Sequence, residues 1–376
     1  MQADDGGENF VMDMMPYLKL MAERGASDLF FCTGTEPKIK INGAIRPVGS
    51  KKLDPGDVSK MAASLMTTEQ AAEFERNLEM NFAVPLSGIG RFRVNVFRQR
   101  GEVSIVIRYI NSIIPKIEEM NLPPILGDVI MEKRGLVLVV GSTGSGKSTT
   151  LAAMIGHRNR HSSSHILTIE DPLEFIHKHE RSIVQQREVG IDTLSYGNAL
   201  KNALREAPDV ILIGEIRDMA TMKYAISYAE TGHLCLATLH SNNANQTMDR
   251  ILNFFPEMAH RQLLMDLSLN LRAIISQRLL PTKNGGCIPA VEVMLSSPYI
   301  KELILKGQIG DIKEAMKGSA DDGTVTFDQA LLTLYREGKI TLEDAIYNAD
   351  SKNDLNLAIR MGKDEESGFD SKLIMG

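Results

Sequence analysis

Leu136-Val137-Leu138-Val139-Val140-Gly141-Ser142-Thr143-Gly144-Ser145-Gly146-Lys147-Ser148-Thr149-Thr150-Leu151 joins an apolar run to a helix-forming segment through the pattern G-x-x-x-x-G-K-S. Between a buried strand and a helix, this pattern is a phosphate loop. Its glycines let backbone N–H groups turn inward around phosphate oxygens, and the helix N-terminus adds a favourable dipole. The predicted nucleotide-binding set is Ser142, Thr143, Gly144, Ser145, Gly146, Lys147, Ser148 and Thr149. Lys147 is expected to reach the β- and γ-phosphates of ATP, and the Ser148 hydroxyl to ligate Mg²⁺.

Outward from the loop, apolar runs at 136–140, 166–169, 210–213 and 234–238 alternate with helical patterns. That alternation predicts an α/β domain with a mostly parallel sheet and helices on both faces. Helical segments dominate after Pro298. Before the loop, helical spacing covers 10–24 and 55–77, and short strands are expected at 29–31, 38–41, 44–48, 91–97 and 104–110. Asn42-Gly43 is a hairpin signal. In the 91–97 strand, Phe92, Val94 and Val96 share one face, and Arg91, Arg93 and Asn95 the other. These elements form a small α+β domain. The predicted boundaries are 1–112 for that domain, 113–123 for a proline-containing linker, 124–360 for the nucleotide-binding domain and 361–376 for a flexible, mixed-charge tail.

At 376 residues, two domains are the expected number. The chain is 43% hydrophobic and 24% charged, as in ordinary globular proteins. No apolar run approaches the length of a membrane span, and the first residues lack a basic-then-apolar leader pattern, so a cytoplasmic protein is expected. A net charge of −6 argues against broad nucleic-acid affinity. Cys32, Cys235 and Cys287 are far apart and support neither a disulfide framework nor a zinc site; they read as reduced, mostly buried thiols.

Three further groups surround the nucleotide-binding pattern. Residues 209–214 are an apolar strand ending at Glu215, the candidate to orient or deprotonate an attacking water. Thr168-Ile169-Glu170-Asp171-Pro172-Leu173-Glu174 ends in carboxylates that suit either a solvated turn or the surroundings of Mg²⁺. Thr231-Gly232-His233-Leu234-Cys235-Leu236-Ala237-Thr238-Leu239-His240 has a histidine at each end of a strand, open to a structural or a phosphate-sensing role. Asp218 is positioned to cap the helix before it. Arg91, Arg93 and Arg108 lie in the first domain, as a solvated face or as cations supplied to a phosphoryl-transfer site.

Together and in this order, these elements resemble the Walker A, Asp-box, Walker B and His-box motifs of the secretion-type ATPases. They resemble above all the type IV pilus retraction ATPases, the PilT and PilU family. Gly25-Ala26-Ser27-Asp28-Leu29, Arg91-Phe92-Arg93-Val94-Asn95 and Gln186-Arg187-Glu188-Val189 are similar to that family as well. The resemblance implies a PAS-like N-terminal domain, a RecA-like motor domain and a homohexameric ring. It implies ATP in the cleft between the domains, closed by a neighbouring subunit. Glu215 takes the role of catalytic glutamate, Glu174 that of Asp-box acid, and both join Ser148 near the metal. His233 and His240 become the His-box residues, and Arg91, Arg93 and Arg108 the phosphate-facing arginines. The implied partners are a PilT-like retraction ATPase and a PilC-like platform protein, with the ring peripheral to the inner membrane at the base of the pilus machine.

There are departures. Where the main retraction motor carries Ala-Ile-Arg-Asn-Leu-Ile-Arg, this chain reads Tyr299-Ile300-Lys301-Glu302-Leu303-Ile304-Leu305. Both arginines are missing, which favours the accessory, PilU-like branch. The alternatives are a pilus-extension or type II secretion ATPase and a weakly hydrolysing, nucleotide-gated adaptor of the main motor. A nucleic-acid translocase fits the acidic balance poorly.

Overall fold

The computed structural model describes residues 14–41, 43–110, 113–319 and 323–367. Its described residues divide into two compact units, one of those up to 113 together with 173–176, the other of 114–172 and those from 177 onward.

The first unit runs α1 (Met15–Glu23), β1 (Asp28–Cys32), β2 (Lys38–Ile41), β3 (Ala44–Pro47), α2 (Asp57–Leu65), α3 (Thr68–Asn77), β4 (Glu79–Leu86), β5 (Gly90–Gln99) and β6 (Glu102–Ile110). Its sheet is antiparallel throughout, in the order β3-β2-β1-β6-β5-β4. Ile41 pairs with Ala44, which makes the expected hairpin; Asn42 itself lies outside the described residues. The expected alternation also holds, with Phe92, Val94 and Val96 fully buried. The helix expected over 55–77 is two helices. Thr67 breaks it, because its hydroxyl accepts from Gln70 N while Gln70 Oε1 accepts from Thr67 N, a capping box that starts α3 anew.

The second unit adds α4 (Ile125–Met131), β7 (Gly135–Val140), α5 (Lys147–His161), β8 (His165–Glu170), β9 (Ile183–Glu188), α6 (Tyr196–Ala203), β10 (Val210–Ile213), α7 (Met219–Glu230), β11 (Leu234–Leu239), α8 (Ala244–Asn253), α9 (His260–Asn270), β12 (Leu271–Pro281), β13 (Cys287–Leu295), α10 (Pro298–Lys306), α11 (Ile312–Lys317), α12 (Phe327–Arg336), α13 (Leu342–Asn348) and α14 (Lys352–Ser367). Its sheet order is β13-β12-β7-β11-β10-β8-β9, parallel except for the β12–β13 pair. The four strands read from the sequence occupy its centre. Strands β9, β12 and β13 were not anticipated.

Both faces of the sheet are buried at its four central strands, which is why those strands read as continuous apolar runs. Leu136, Leu138, Ile211, Ile213 and Ala237 face one core, with α6 to α10. Val137, Val139, Val210, Leu212 and Leu236 face the other, with α4 and α5. Ile117 and Leu122, from the stretch expected as a linker, are buried in that second core. A further cluster packs α12, α13 and α14 on the far ends of β12 and β13 through Leu280, Ile288, Phe327 and Leu355. Residues 361–367 of the expected tail are helical, in α14; 368–376 lie outside the described residues. Cys235 is fully buried and burial pushes its thiol pKa up, whereas Cys287 is exposed, unlike the buried thiols expected.

Glu292 is an ionisable group inside this frame. It is buried on β13, and its Oε1 accepts from Ala244 N (2.8 Å) and Ser276 Oγ (3.1 Å). Burial raises its pKa to about 7, with Asp350 adding to the rise and those hydrogen bonds and Arg278 opposing it. A folded-state pKa above the unfolded value of 4.5 means stability present below that value and lost as pH rises through about 7. Glu292→Gln should therefore raise the thermal midpoint relative to the parent by an amount that grows over this window. The difference at about pH 8 is worth on the order of 3 kcal/mol. Denaturation scans of both proteins across the window check it; a constant difference contradicts it.

Candidate functional site

The phosphate loop leaves the buried end of β7 and enters α5 at Lys147. Gly141, Gly144 and Gly146 have φ of +150°, +78° and +90°. At Gly141 a Cβ would come within 2.5 Å of Gln277 O, and at Gly146 within 2.8 Å of Gln277 Nε2. Backbone conformation and β12 together therefore demand glycine at both positions. Lys147 Nζ donates to Gly141 O and Ser142 O, both at 2.9 Å, which curls the ammonium over the loop. Ser148 and Thr149 follow in the first turn of α5, half-buried; Ser142, Thr143 and Gly144 are exposed, and Ser145 is buried. Thr150 is fixed from below, its hydroxyl donating to Gln277 Oε1 at 2.7 Å in the interior.

Parallel register brings two further motifs to the same sheet edge. Leu239 of β11 lies opposite Val140 of β7, and Ala237 opposite Ile213 of β10. The chain leaving β10 is then held by Thr238, whose hydroxyl donates to Gly214 O (2.5 Å) and whose carbonyl accepts from Ile216 N (2.9 Å). Glu215, between them, accepts from Arg217 Nε at 2.8 Å, and its other oxygen lies 3.2 Å from His240 Nε2. His240, Ser241 and Asn242 share a polar depression of about 280 Å³ with Ser142, Gln246 and Arg250. Asp218 caps α7 as expected, accepting from Thr221 N at 2.8 Å.

Other expected residues lie elsewhere. His233 is at the opposite end of β11, about 23 Å from His240 at roughly 3.3 Å per residue. There its Nδ1 contacts Thr231 Oγ1 (3.1 Å) and Tyr228 O (3.2 Å). Glu170 ends β8 beside Gly214, with Tyr196 between the motifs: a Cβ on Gly214 would meet the Tyr196 hydroxyl at 2.7 Å and Glu170 Cα at 3.1 Å. Burial raises the Tyr196 pKa well above the usual phenol range, and the Asp171 and Glu170 carboxylates raise it further. The phenol thus stays protonated, a hydrogen-bond donor among acids. Glu174 is exposed, in the 173–176 segment that groups with the first unit. In that unit, Arg93 and Arg108 are cross-strand partners, and Arg108 Nε donates to the buried Asp28 at 2.9 Å. Arg91 sits two residues along the same face, half-buried.

Gln277, Thr238 and Tyr196 are the residues that sequence reading missed. The polar triplet Ser276-Gln277-Arg278 interrupting the apolar run 273–280 was the available signal for the first of them.

The loop's positive-φ glycines, the curled ammonium and the Ser148 hydroxyl at the start of α5 fit a nucleotide's phosphates and an Mg²⁺ ion. The sequence profile described as Type II/IV secretion system protein matches residues 4–307. The chain is 51% identical to the type IV pilus ATPase PilU of Pseudomonas aeruginosa over 97% of its own length and 96% of that protein's. It is 40% identical to the type IV pilus retraction ATPase PilT of the same organism, over 89% and 97%. Among solved structures, the pilus retraction motor PilT with bound ADP is similar, with a TM-score of 0.85 and 41% identity over 92% of this chain and 99% of that one.

Gly141→Ala puts a methyl group against the Gln277 carbonyl, which belongs to a paired strand and has nowhere to go. We expect ADP binding to weaken by about 100-fold, measured by titration with a fluorescent ADP, while far-UV circular dichroism is kept. Parental affinity would show that the loop's shape does not depend on this contact.

Proposed function

The chain belongs to the Type II/IV secretion system protein family, on its pilus-retraction side, and from that premise we propose an ATP-hydrolysing motor of a type IV pilus machine that powers or assists filament retraction. The observation that carries the hydrolytic part of this reading is the 3.2 Å approach of His240 to Glu215 at the sheet edge from which the phosphate loop springs; the similarity to PilU and PilT supports the pilus part.

In this reading Lys147 and the loop N–H groups hold the β- and γ-phosphates. Bound Mg²⁺, ligated by Ser148, supplies charge neutralisation on the phosphate oxygens. Glu215 orients the attacking water and takes its proton. Arg217 and His240 hold the two oxygens of that carboxylate in one orientation, and Thr238 fixes the backbone on either side of it. Arg91, Arg93, Arg108 and Glu174 keep the roles that the resemblance gives them, as proposals for kinetic test; His233, bonded to Thr231 at the other end of β11, is left out of the site.

The accessory, PilU-like role is supported by α10. Its buried Ile300, Leu303 and Ile304 keep the apolar pattern of the motor's motif, while the two arginine positions are Lys301 and the exposed Leu305. The same helix surface supports a second reading, a weakly hydrolysing adaptor of the main motor. We further propose a homohexamer working with a PilT-like ATPase and a PilC-like platform protein, on the cytoplasmic side of the inner membrane.

Lys147→Ala should abolish ATP binding, and Glu215→Gln should retain ATP while turnover falls by about 100-fold or more. Filter binding and phosphate release check both. A Glu215→Gln protein that hydrolyses ATP at the parent rate contradicts the assignment of the base. Light-scattering mass on the active samples tests the ring: six subunits are expected, and an active monomer contradicts it.

A further inference from the structure

The turn that carries His240 is held from outside the nucleotide-binding motifs. Ser241 Oγ bonds Thr247 Oγ1 (2.7 Å), and Asn243 caps α8 by accepting from Gln246 N (2.9 Å). Two contacts then leave the turn. Asn242 O accepts from Arg278 (3.3 Å), and Asn243 Nδ2 donates to Asp350 Oδ2 (3.2 Å).

Arg278 and Asp350 are themselves paired at 2.6 Å, both largely shielded from solvent. The Arg278 guanidinium also donates to Asn348 O and lies 3.9 Å over the Phe327 ring. Asp350 precedes α14, its N–H donates to Asp328 Oδ1 (2.8 Å), and Lys313 of α11 lies 3.4 Å from both acids. Burial raises the Asp350 pKa, but Arg278, Lys313 and Asn243 overcome this and hold it below the usual aspartate range. An ion pair this shielded is costly to break from one side, because the remaining charge is left without its partner.

The two ends of this network differ in kind. Asn242, Asn243 and Arg278 lie within the stretch matched by the family profile. Lys313, Phe327, Asp328, Asn348 and Asp350 all lie beyond residue 307, where that match ends. Arg278 also directly follows Gln277, which braces the phosphate loop through Thr150. One strand therefore touches the phosphate loop with one residue and the His240 turn with the next.

We propose that Arg278 and Asp350 are a positioning pair, through which helices α11 to α14 set the His240 turn and thereby the Glu215–His240 contact that turnover uses. The pair touches no reacting atom and acts through His240. This proposal rests on the ATPase reading above.

The test uses the full-length protein and a kinetic cycle. Asp350→Asn, His240→Ala and their combination are assayed for ATP turnover and KM, for fluorescent-ADP affinity and for thermal midpoint, with Lys147→Ala as the blank. Asn243→Ser keeps an N-cap oxygen but drops the amide that reaches Asp350, so it serves if Asp350→Asn does not fold. Asp354→Asn removes an exposed carboxylate of α14 that pairs with Lys317, and controls for C-terminal charge. We expect Asp350→Asn and Asn243→Ser each to lower kcat about tenfold, with KM and ADP affinity within about twofold of the parent. In the His240→Ala background they should have no further effect, since the pathway is already cut. Asp354→Asn should match the parent. Unchanged kcat in the first two variants overturns the proposal, and so does an equal loss with and without His240. A joint collapse of KM, ADP affinity and thermal midpoint also overturns it, as the mark of a purely structural anchor. A parent chain no more active than the Lys147→Ala blank fails the ATPase reading instead, and the positioning role falls with it.

Discussion

In-register parallel pairing of β7, β11 and β10 is the constraint from which the rest of the site follows. Val140, Leu239 and Ile213 bring three chain segments to one edge, where the first becomes the phosphate loop, the second His240 and the third Glu215. Backbone hydrogen bonds and two buried apolar faces fix that register. A slip of one residue on β10 would move Glu215 by roughly 3.3 Å along the strand and turn its neighbours to the other face. The 3.2 Å contact with His240 would not survive it. The backbone positions from which these side chains project are thus set by strand pairing and apolar packing.

Around this edge, neutral groups fix the backbone from which the charged ones project. Thr238 holds the backbone of Glu215 from both sides, and Gln277 supports the phosphate loop through Thr150 and the close approach at Gly141 and Gly146. Such contacts keep the proposed catalytic groups in place without adding charge of their own. Strand β12 matters twice, since its outer neighbour β13 also supplies the buried Glu292 that accepts from the first N–H of α8.

Much of this was legible in the sequence for identifiable reasons. The central strands announce themselves as apolar runs because both their faces are buried, and the phosphate loop because only glycine fits its φ values. Asp218 was legible as a cap because capping is local. What the sequence hid depends on long-range partners. Strand β12 reads as a broken apolar run because Ser276, Gln277 and Arg278 find their partners on β13, α5 and the segment before α14. The two His-box histidines look alike in sequence, yet six strand residues separate a partner of Glu215 from one of Thr231. The break at Thr67 was hidden because apolar periodicity runs through it, although Thr67 and Gln70 show the capping spacing.

The most direct measurement is a structure of this chain with Mg²⁺ and a non-hydrolysable ATP analogue. Lys147 Nζ is expected to leave the carbonyls of Gly141 and Ser142 for the β- and γ-phosphates, with the Glu215 carboxylate facing a water in line with the γ-phosphate. An analogue bound while Lys147 stays on those carbonyls, or a Glu215 turned away from the γ-phosphate, would contradict it.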